Sequence, residues 1–251
     1  MASVDDVEAL KSLKMGKGGR MPYVLEINKR LVDLGVPTKI RFCGPFSLAA
    51  KLVGFENFVV SAVWEPKKAH RLLRYLTDEI LAPWITFQRR QCGSDEPAVG
   101  ADALASPPML TVPMIREFCL EYMKRLEKHV GRIRLAGLWG ERFVNDPRQL
   151  FDIKKEGCPN LLQALDPDVT ALGPVFFKEY ADRWDMAIIM GLDATLLQNG
   201  PVGEIKTRAG KFINEAGRDG RFVLYMNDIP YETPPEHVHA VVSVAHEYRY
   251  R

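Results

Sequence analysis

Short apolar runs alternate with longer amphipathic segments along this chain. Six of the short runs carry Val, Ile, Leu or Phe and end near Gly, Pro, Asp or Asn, which is typical of buried β-strands. The predicted strands span residues 37–43, 97–104, 132–138, 160–166, 186–192 and 221–227.

The longer segments show the apolar spacing of helices. Between residues 66 and 91, for example, Leu72, Leu76 and Ile80 recur at intervals of four. Residues 233–236 read Thr-Pro-Pro-Glu, a capping residue followed by prolines and an early acid, which favours a helix start. The predicted helices span residues 22–34, 66–91, 112–129, 204–216 and 235–248. Strands that alternate with helices predict the α/β class with a mainly parallel sheet.

The length suggests a particular α/β architecture. An eight-stranded (β/α) barrel of the TIM type needs about 250 residues, and this chain has 251. Only six βα units are visible, so we expect a barrel over residues 36–251 that lacks its N-terminal strands, preceded by a polar segment and first helix over residues 1–35. An incomplete barrel exposes strand edges, and we therefore expect a second subunit or a homodimer to cover them.

Composition narrows the class of protein. Hydrophobic residues make up 47% and charged residues 26%, as in an ordinary globular protein. No apolar run approaches the ~18 residues of a membrane span, and the first 20 residues lack the apolar core of a secretion signal. The net charge is +2 without a Lys/Arg block, which argues against nucleic acid. The four cysteines form no CxxC pair, and we expect reduced thiols in a cytoplasmic protein.

Five motifs, taken in order, carry a family resemblance. They are GPFSLAA (44–50), GFENF (54–58), DALAS (102–106), GLD (191–193) and TPPEHV (233–238). With this order and spacing the chain resembles the uroporphyrinogen decarboxylase superfamily from about residue 36 to residue 248. It is more similar to the corrinoid-linked methyltransferase branch than to the tetrapyrrole decarboxylase. The resemblance implies a TIM barrel with its active site at the C-terminal mouth of the strands.

Departures from the family pattern matter for the chemistry. Lys51 stands where the decarboxylase has a tyrosine, and residues 226–228 replace its Gly-His-Gly, which argues against tetrapyrrole decarboxylation. The zinc-dependent methyltransferases have His-x-Cys-Gly where this chain has Gly137-Leu138-Trp139-Gly140, and their last cysteine is replaced by Asn227 or Asp228. Without thiolate or imidazole, the resemblance implies that this zinc site does not form here, and we predict no metal ligands.

Polar residues at the predicted strand ends are the candidate catalytic groups. Those at or near such ends are Asp102, Glu141, Asp166, Asp193, Asn227 and Asp228. Carboxylates that meet at one barrel mouth raise each other's pKa, or bind a hard metal through oxygen. We predict that Asp102, Glu141 and Asp193 are catalytic. The alternative is that each caps a helix or orders a loop.

A second set of residues is predicted to bind substrate. Trp139 is suited to stack on an aromatic substrate or a corrin face, with Arg142 nearby to meet a carboxylate; the alternative is that the indole plugs the barrel mouth. Lys51 is predicted to pair with an acidic substrate, or else to be a solvated helix residue. Phe46 and Asn227 complete the predicted set.

These residues lead to one functional hypothesis and two alternatives. The hypothesis is a methyltransferase, or a subunit of one, that moves a methyl group between a small substrate and a corrinoid on a separate carrier protein. Acids such as Asp102 and Glu141 would protonate the leaving oxygen of a phenolate or similar group. The alternatives are a decarboxylase-like lyase acting on a tetrapyrrole, and a non-catalytic partner subunit.

Overall fold

The computed structural model describes residues 4–9, 14–37 and 39–249. Its six strands all lie within predicted strands, which confirms the α/β class. They are β1 (Arg41–Cys43), β2 (Ala98–Ala101), β3 (Ile133–Ala136), β4 (Leu161–Leu165), β5 (Ala187–Leu192) and β6 (Phe222–Met226). The observed strands are shorter than predicted because the chain turns at once where they end: the Asp102 carbonyl already accepts the Ala105 N–H in a tight turn. Residue 38 of the first predicted strand, and residues 1–3 and 10–13 of the polar segment, lie outside the described residues.

The strands pair in parallel as two three-stranded sheets, in the orders β1-β2-β3 and β4-β5-β6, rather than as one continuous sheet. Two compact units contain them, residues 1–138 and 139–251. The apolar pattern did not mark this division, and the expected boundary after residue 35 stays a prediction.

Helices surround the sheet of the first unit. They are α1 (Met21–Asp33), α2 (Pro45–Val53), α3 (Phe55–Trp64), α4 (Pro66–Tyr75), α5 (Ala82–Cys92), α6 (Val112–Ile115) and α7 (Glu121–Val130). The predicted helices 22–34, 66–91 and 112–129 are thereby confirmed, but each of the last two contains a π-helical segment, Leu76–Leu81 and Arg116–Leu120. A 3₁₀ helix, Val4–Ala9, precedes them.

The core of the first unit is apolar and well filled. Fully buried side chains include Phe46, Phe58, Leu72, Leu73 and Ile115. In the described ranges no single helix is long and apolar enough to cross a membrane; α2 and α3, which meet at a bend of 110°, satisfy the length and composition requirement only as a pair.

The second unit has the same layered design. Its helices are α8 (Arg148–Gly157), α9 (Asp168–Leu172), α10 (Pro174–Arg183), α11 (Ala194–Asn199), α12 (Val202–Ala216) and α13 (Pro235–Arg249), after a short 3₁₀ turn, Glu141–Phe143. The predicted helices 204–216 and 235–248 are confirmed. Ile188 and Met190 of β5 belong to the buried core with Phe151 and Phe212 of the helices. Since successive strand residues point to opposite faces, Gly191 lies on the face away from that core.

Candidate functional site

Asp102 is a buried carboxylate directly after β2. Its Oδ1 accepts the backbone N–H of Ser47 at 2.6 Å, and its Oδ2 accepts that of Phe46 at 3.2 Å. Both N–H groups belong to the first turn of α2 and have no partner within that helix. In return, the Ser47 hydroxyl accepts the N–H of Leu104 at 3.1 Å. Asp102 therefore ties the end of β2 to the start of α2.

Gly44 makes this contact possible. A Cβ on Gly44 would lie 2.4 Å from the Cγ of Asp102, so any other residue would displace the carboxylate. Burial raises the pKa of Asp102, although hydrogen bonds from Ser47, Cys119 and Phe46 act in the opposite direction. Burial also raises the pKa of the Cys119 thiol well above its usual range, and the charge of Asp102 adds to this. Cys119 is thus a neutral thiol that supports Asp102.

The two substrate-binding candidates on α2 have different surroundings. The ring of Phe46 is fully buried and packs edge-on against Phe58 at 5.0 Å. Lys51 is exposed in the last turn of α2. Burial raises the pKa of the Cys43 thiol, and the positive charge of Lys51 lowers it by a smaller amount. Contact of Phe46 or Lys51 with a substrate stays a prediction.

Glu141 is the buried acid of the second unit. The ammonium group of Lys154, itself buried on α8, donates to its Oε1. Lys154 also donates to the carbonyl of Gln163 on β4 at 2.8 Å. The other oxygen, Oε2, is buried and has no hydrogen-bond partner among the described residues. Burial raises the pKa of Glu141; Lys154 lowers it and the negative charge of Asp168 raises it further.

Asp168, at the start of α9, organises the loop that carries Glu141. Its Oδ2 accepts the N–H of Gly140 at 2.8 Å, and its Oδ1 accepts both the backbone N–H of Arg142 at 3.2 Å and its guanidinium at 2.7 Å. The Arg142 side chain remains 25% exposed. Arg142 is therefore fixed at one end and accessible at the other, as an anion-binding arginine requires. Trp139, just before this turn, is half-buried.

Two of the remaining candidate acids, Asp193 and Asp166, contact groups of their own unit. Asp193 caps α11, where it accepts the N–H groups of Thr195 and Leu196 at 3.2 and 3.3 Å. Asp166, after β4, pairs with Arg208 at 2.8 Å. Asp228 is exposed. The expected convergence of Asp102, Glu141 and Asp193 at one mouth stays a prediction.

Sequence reasoning missed a polar chain on the second sheet. Gln163 donates through Nε2 to the hydroxyl of Tyr225 at 2.9 Å, and that hydroxyl donates to Oδ1 of Asn227 at 3.2 Å. Asn227 thus lies at the end of a hydrogen-bonded chain with two partners that were not foreseen, and its contact with a substrate stays a prediction. The one sequence signal was Lys154, a cation among Leu150, Phe151 and Ile153 on the apolar face of α8.

A cleft of about 460 Å³ on the first unit is lined by none of the candidate catalytic acids. Two of its basic residues are already paired: Arg125 contacts Asp78 at 2.6 Å, and His70 contacts Glu117 at 2.9 Å. We assign it no ligand.

The donor set does not fit the zinc site of the zinc-dependent methyltransferases that the chain resembles. Gly137 has no side chain, and the indole of Trp139 offers only an N–H donor. The Asn227 oxygen is occupied by Tyr225. Within the described ranges, no three His, Cys, Asp or Glu side chains lie close enough to hold a metal ion.

Parallel strands joined by helices, with polar side chains at the strand ends, define an α/β protein of the type that binds small molecules at the carboxyl edge of its sheets. The chain belongs to the uroporphyrinogen decarboxylase (URO-D) family, whose sequence model matches residues 1–248. The family predicted from the five motifs is therefore confirmed.

Two methyltransferases are similar to this chain. The methylated-thiol–coenzyme M methyltransferase of Methanosarcina mazei is 27% identical over 245 residues, which cover 93% of this chain and 60% of that protein. The chain thus spans about three fifths of that relative's length. A solved structure of a methyltransferase from Methanosarcina mazei matches with a TM-score of 0.74 and 21% identity, over 99% of this chain and 71% of the other. The fold is shared with that structure, and the 27%-identical relative agrees with the predicted methyltransferase branch.

Proposed function

We propose that this protein is a methyltransferase, or a subunit of one, that moves a methyl group between a small substrate and a corrinoid held by a separate carrier protein. The observation that carries the proposal is the alignment of 93% of the chain with a methylated-thiol–coenzyme M methyltransferase. This chain covers only 60% of that relative. The substrates and partners of this chain are therefore a proposal of their own.

The chemical demand is activation of the atom that loses the methyl group. A thiolate or phenolate is a poor leaving group, and protonation of its sulfur or oxygen in the transition state lowers the barrier. The corrinoid supplies the cobalt that accepts or donates the methyl group. This group would belong to the carrier, and no residue of this chain is assigned to hold it.

Glu141 is the proposed proton donor. Its Oε1 is engaged by Lys154, whereas Oε2 is without a partner among the described residues, so we place the transferable proton on Oε2. Because its pKa is raised, Glu141 is protonated to a larger extent at a given pH than an exposed glutamic acid. As the bond from the methyl carbon to the heteroatom breaks, the heteroatom keeps the electron pair and takes this proton.

Arg142 is the proposed anchor for an anionic end of the substrate. Asp168 fixes both its backbone and its guanidinium, so little conformational freedom is lost when a carboxylate or sulfonate binds. Trp139, three residues earlier, is proposed as an apolar wall against which the substrate lies. Asp102 and Asp193 are proposed in the first place as residues that hold helices, since their oxygens accept helix N–H groups.

The test is a methyl-transfer assay with cob(I)alamin, free and on a carrier protein. Dimethyl sulfide and 3-methoxybenzoate serve as methyl donors, and the cobalt absorption spectrum is followed. We expect methyl transfer from at least one donor, a loss of about 10²-fold in kcat for Glu141→Gln, and about a tenfold rise in KM for Arg142→Lys with 3-methoxybenzoate.

The exposed Glu215→Gln and Arg218→Lys are the matched controls and should leave the rates unchanged. Absence of methyl transfer from every donor contradicts the proposal, as does release of carbon dioxide from a uroporphyrinogen instead. Methyl transfer that begins only when a second protein is added would support the subunit form of the proposal.

A further inference from the structure

We propose that Tyr225 and Asn227 form a binding subsite for a hydroxyl or thiol group of a small ligand, with Gln163 and Gly191 as the residues that position Tyr225. The inference rests on the proposed function, because such a group is what a methyl ether or thioether becomes when it loses its methyl group.

The backbone places these residues together. The register of the second sheet aligns Leu165 of β4, Gly191 of β5 and Tyr225 of β6. Gln163, two residues before Leu165, shares its face of β4. Tyr225 must therefore reach across the whole width of β5 to meet Gln163, and the 2.9 Å hydrogen bond between them shows that it does.

Gly191 is the reason that this crossing is possible. A Cβ on Gly191 would lie 2.6 Å from Cζ of Tyr225 and 2.9 Å from its hydroxyl oxygen. Real side chains do not approach this closely, so the ring would have to leave its position. Because Gly191 has no side chain, the phenol ring of Tyr225 can lie over β5.

The direction of the hydrogen bonds determines what remains for a ligand. Gln163 Nε2 can only donate and Asn227 Oδ1 can only accept, so the Tyr225 hydroxyl accepts from the first and donates to the second. Among the described residues, one lone pair of the Tyr225 oxygen and the amide hydrogens of Asn227 take part in no further hydrogen bond. All three side chains are half-buried rather than sealed in the core.

This pair of groups is complementary to O–H and S–H. A ligand hydroxyl or thiol can accept from the Asn227 amide and donate to the Tyr225 oxygen, whereas a methyl ether or thioether can only accept. Burial raises the pKa of Tyr225; the hydrogen bond from Gln163 lowers it by less, and the negative charge of Asp228 raises it, so the phenol stays protonated and keeps the chain in this direction. The subsite should therefore distinguish a demethylated ligand from its methylated form.

The experiment measures binding, without corrinoid, by calorimetry or ligand-observed NMR. Two matched pairs are used, 3-hydroxybenzoate with 3-methoxybenzoate and 3-mercaptopropionate with 3-(methylthio)propionate. We expect the wild-type protein to prefer the free hydroxyl or thiol by about threefold to tenfold, the effect of one hydrogen bond. Tyr225→Phe keeps the ring but should remove the preference, and Gly191→Ala should do the same by displacing the ring.

Two control variants should retain the preference. Tyr231→Phe removes a hydroxyl from a fully exposed ring, and Gly203→Ala adds a methyl group that, beyond its chain neighbours and the nearby backbone of its own helix, meets no described atom within 4 Å. A structural role alone would change the unfolding midpoint without changing the discrimination between the paired ligands.

The inference is overturned if the wild-type protein shows no preference, if Tyr225→Phe keeps it, or if none of the four ligands binds. Methyl transfer with an unchanged preference in Tyr225→Phe would refute this subsite alone. A preference that depends on Tyr225 in a protein without methyl transfer would refute the proposed function alone.

Discussion

Asp102 and Glu141 are both fully buried acids, but their oxygens have different partners. Asp102 accepts two backbone N–H groups, so each of its oxygens is satisfied by the chain itself. Glu141 has one oxygen bonded by Lys154 and one without a described partner. A buried oxygen without a hydrogen-bond partner costs free energy, and in native proteins such an oxygen often belongs to a group with a catalytic role. This difference favours Glu141 over Asp102 as the reacting acid.

The raised pKa of Glu141 predicts a pH-dependent stability. Because the folded pKa lies above the unfolded value near 4.5, the folded protein binds more protons. The contribution of Glu141 to stability is therefore present below pH 4.5 and is lost as the pH rises through the raised pKa. Urea unfolding of the wild type and of Glu141→Gln should show the variant gaining relative stability between pH 4.5 and 7. A difference that is constant over this range would show that the pKa is not raised; Glu215→Gln is the surface control.

At the scale of elements, three helix starts in the described part of the chain, those of α2, α6 and α11, are held by side chains from outside the helix. Thr111 caps α6 by accepting the N–H of Met114 at 3.4 Å, and Asp193 caps α11. Asp102 does the same for α2 from a different strand. Aspartate at a strand end is thus as well suited to capping as to catalysis, and the sequence alone leaves both possibilities open.

Substitutions of Asp193 separate the two roles. Asp193→Ala removes the cap of α11 and should lower the free energy of unfolding by about 1 kcal/mol. Asp193→Asn keeps a capping oxygen but cannot transfer a proton, so stability and methyl-transfer rate should both stay near the wild-type values. Normal stability together with a loss of activity in the Asp193→Asn variant would instead establish Asp193 as catalytic.

The strands were predictable and several helices were not, for a physical reason. Each strand is a short run of apolar residues that the local pattern already displays. The helices α9 and α11 have five and six residues, fewer than two turns, and cannot show a helical period. The π-helical segment Leu76–Leu81 is likewise invisible to a pattern based on 3.6 residues per turn.

At the scale of the whole molecule, each unit has its own sheet and its own buried core. The first unit is built around residues such as Phe46, Phe58 and Leu72, and the second around Phe151, Ile188 and Phe212. Proteins open locally in cooperative regions, each with its own core. A substitution that loosens one core should therefore be felt mainly within that unit.

Hydrogen exchange measured by mass spectrometry tests this expectation. Asp102→Asn removes an acceptor from the N–H groups of α2, and it should speed exchange in peptides from residues 1–138. Gly191→Ala, which displaces Tyr225, should do so in peptides from residues 139–251. Faster exchange along the entire chain in either variant would contradict the division at residue 138.

The sequence by itself determined the α/β class, the positions of six parallel strands and the family, because these depend on local apolar patterns and on motifs in a fixed order. Only the tertiary structure decided what the polar residues do. Asp102 acts on Ser47, 55 residues away, and Gln163 on Tyr225, 62 residues away. Such contacts form only when folding brings distant strand ends together. The hydrogen bonds formed there make Asp102 a helix cap and leave Oε2 of Glu141 without a described partner.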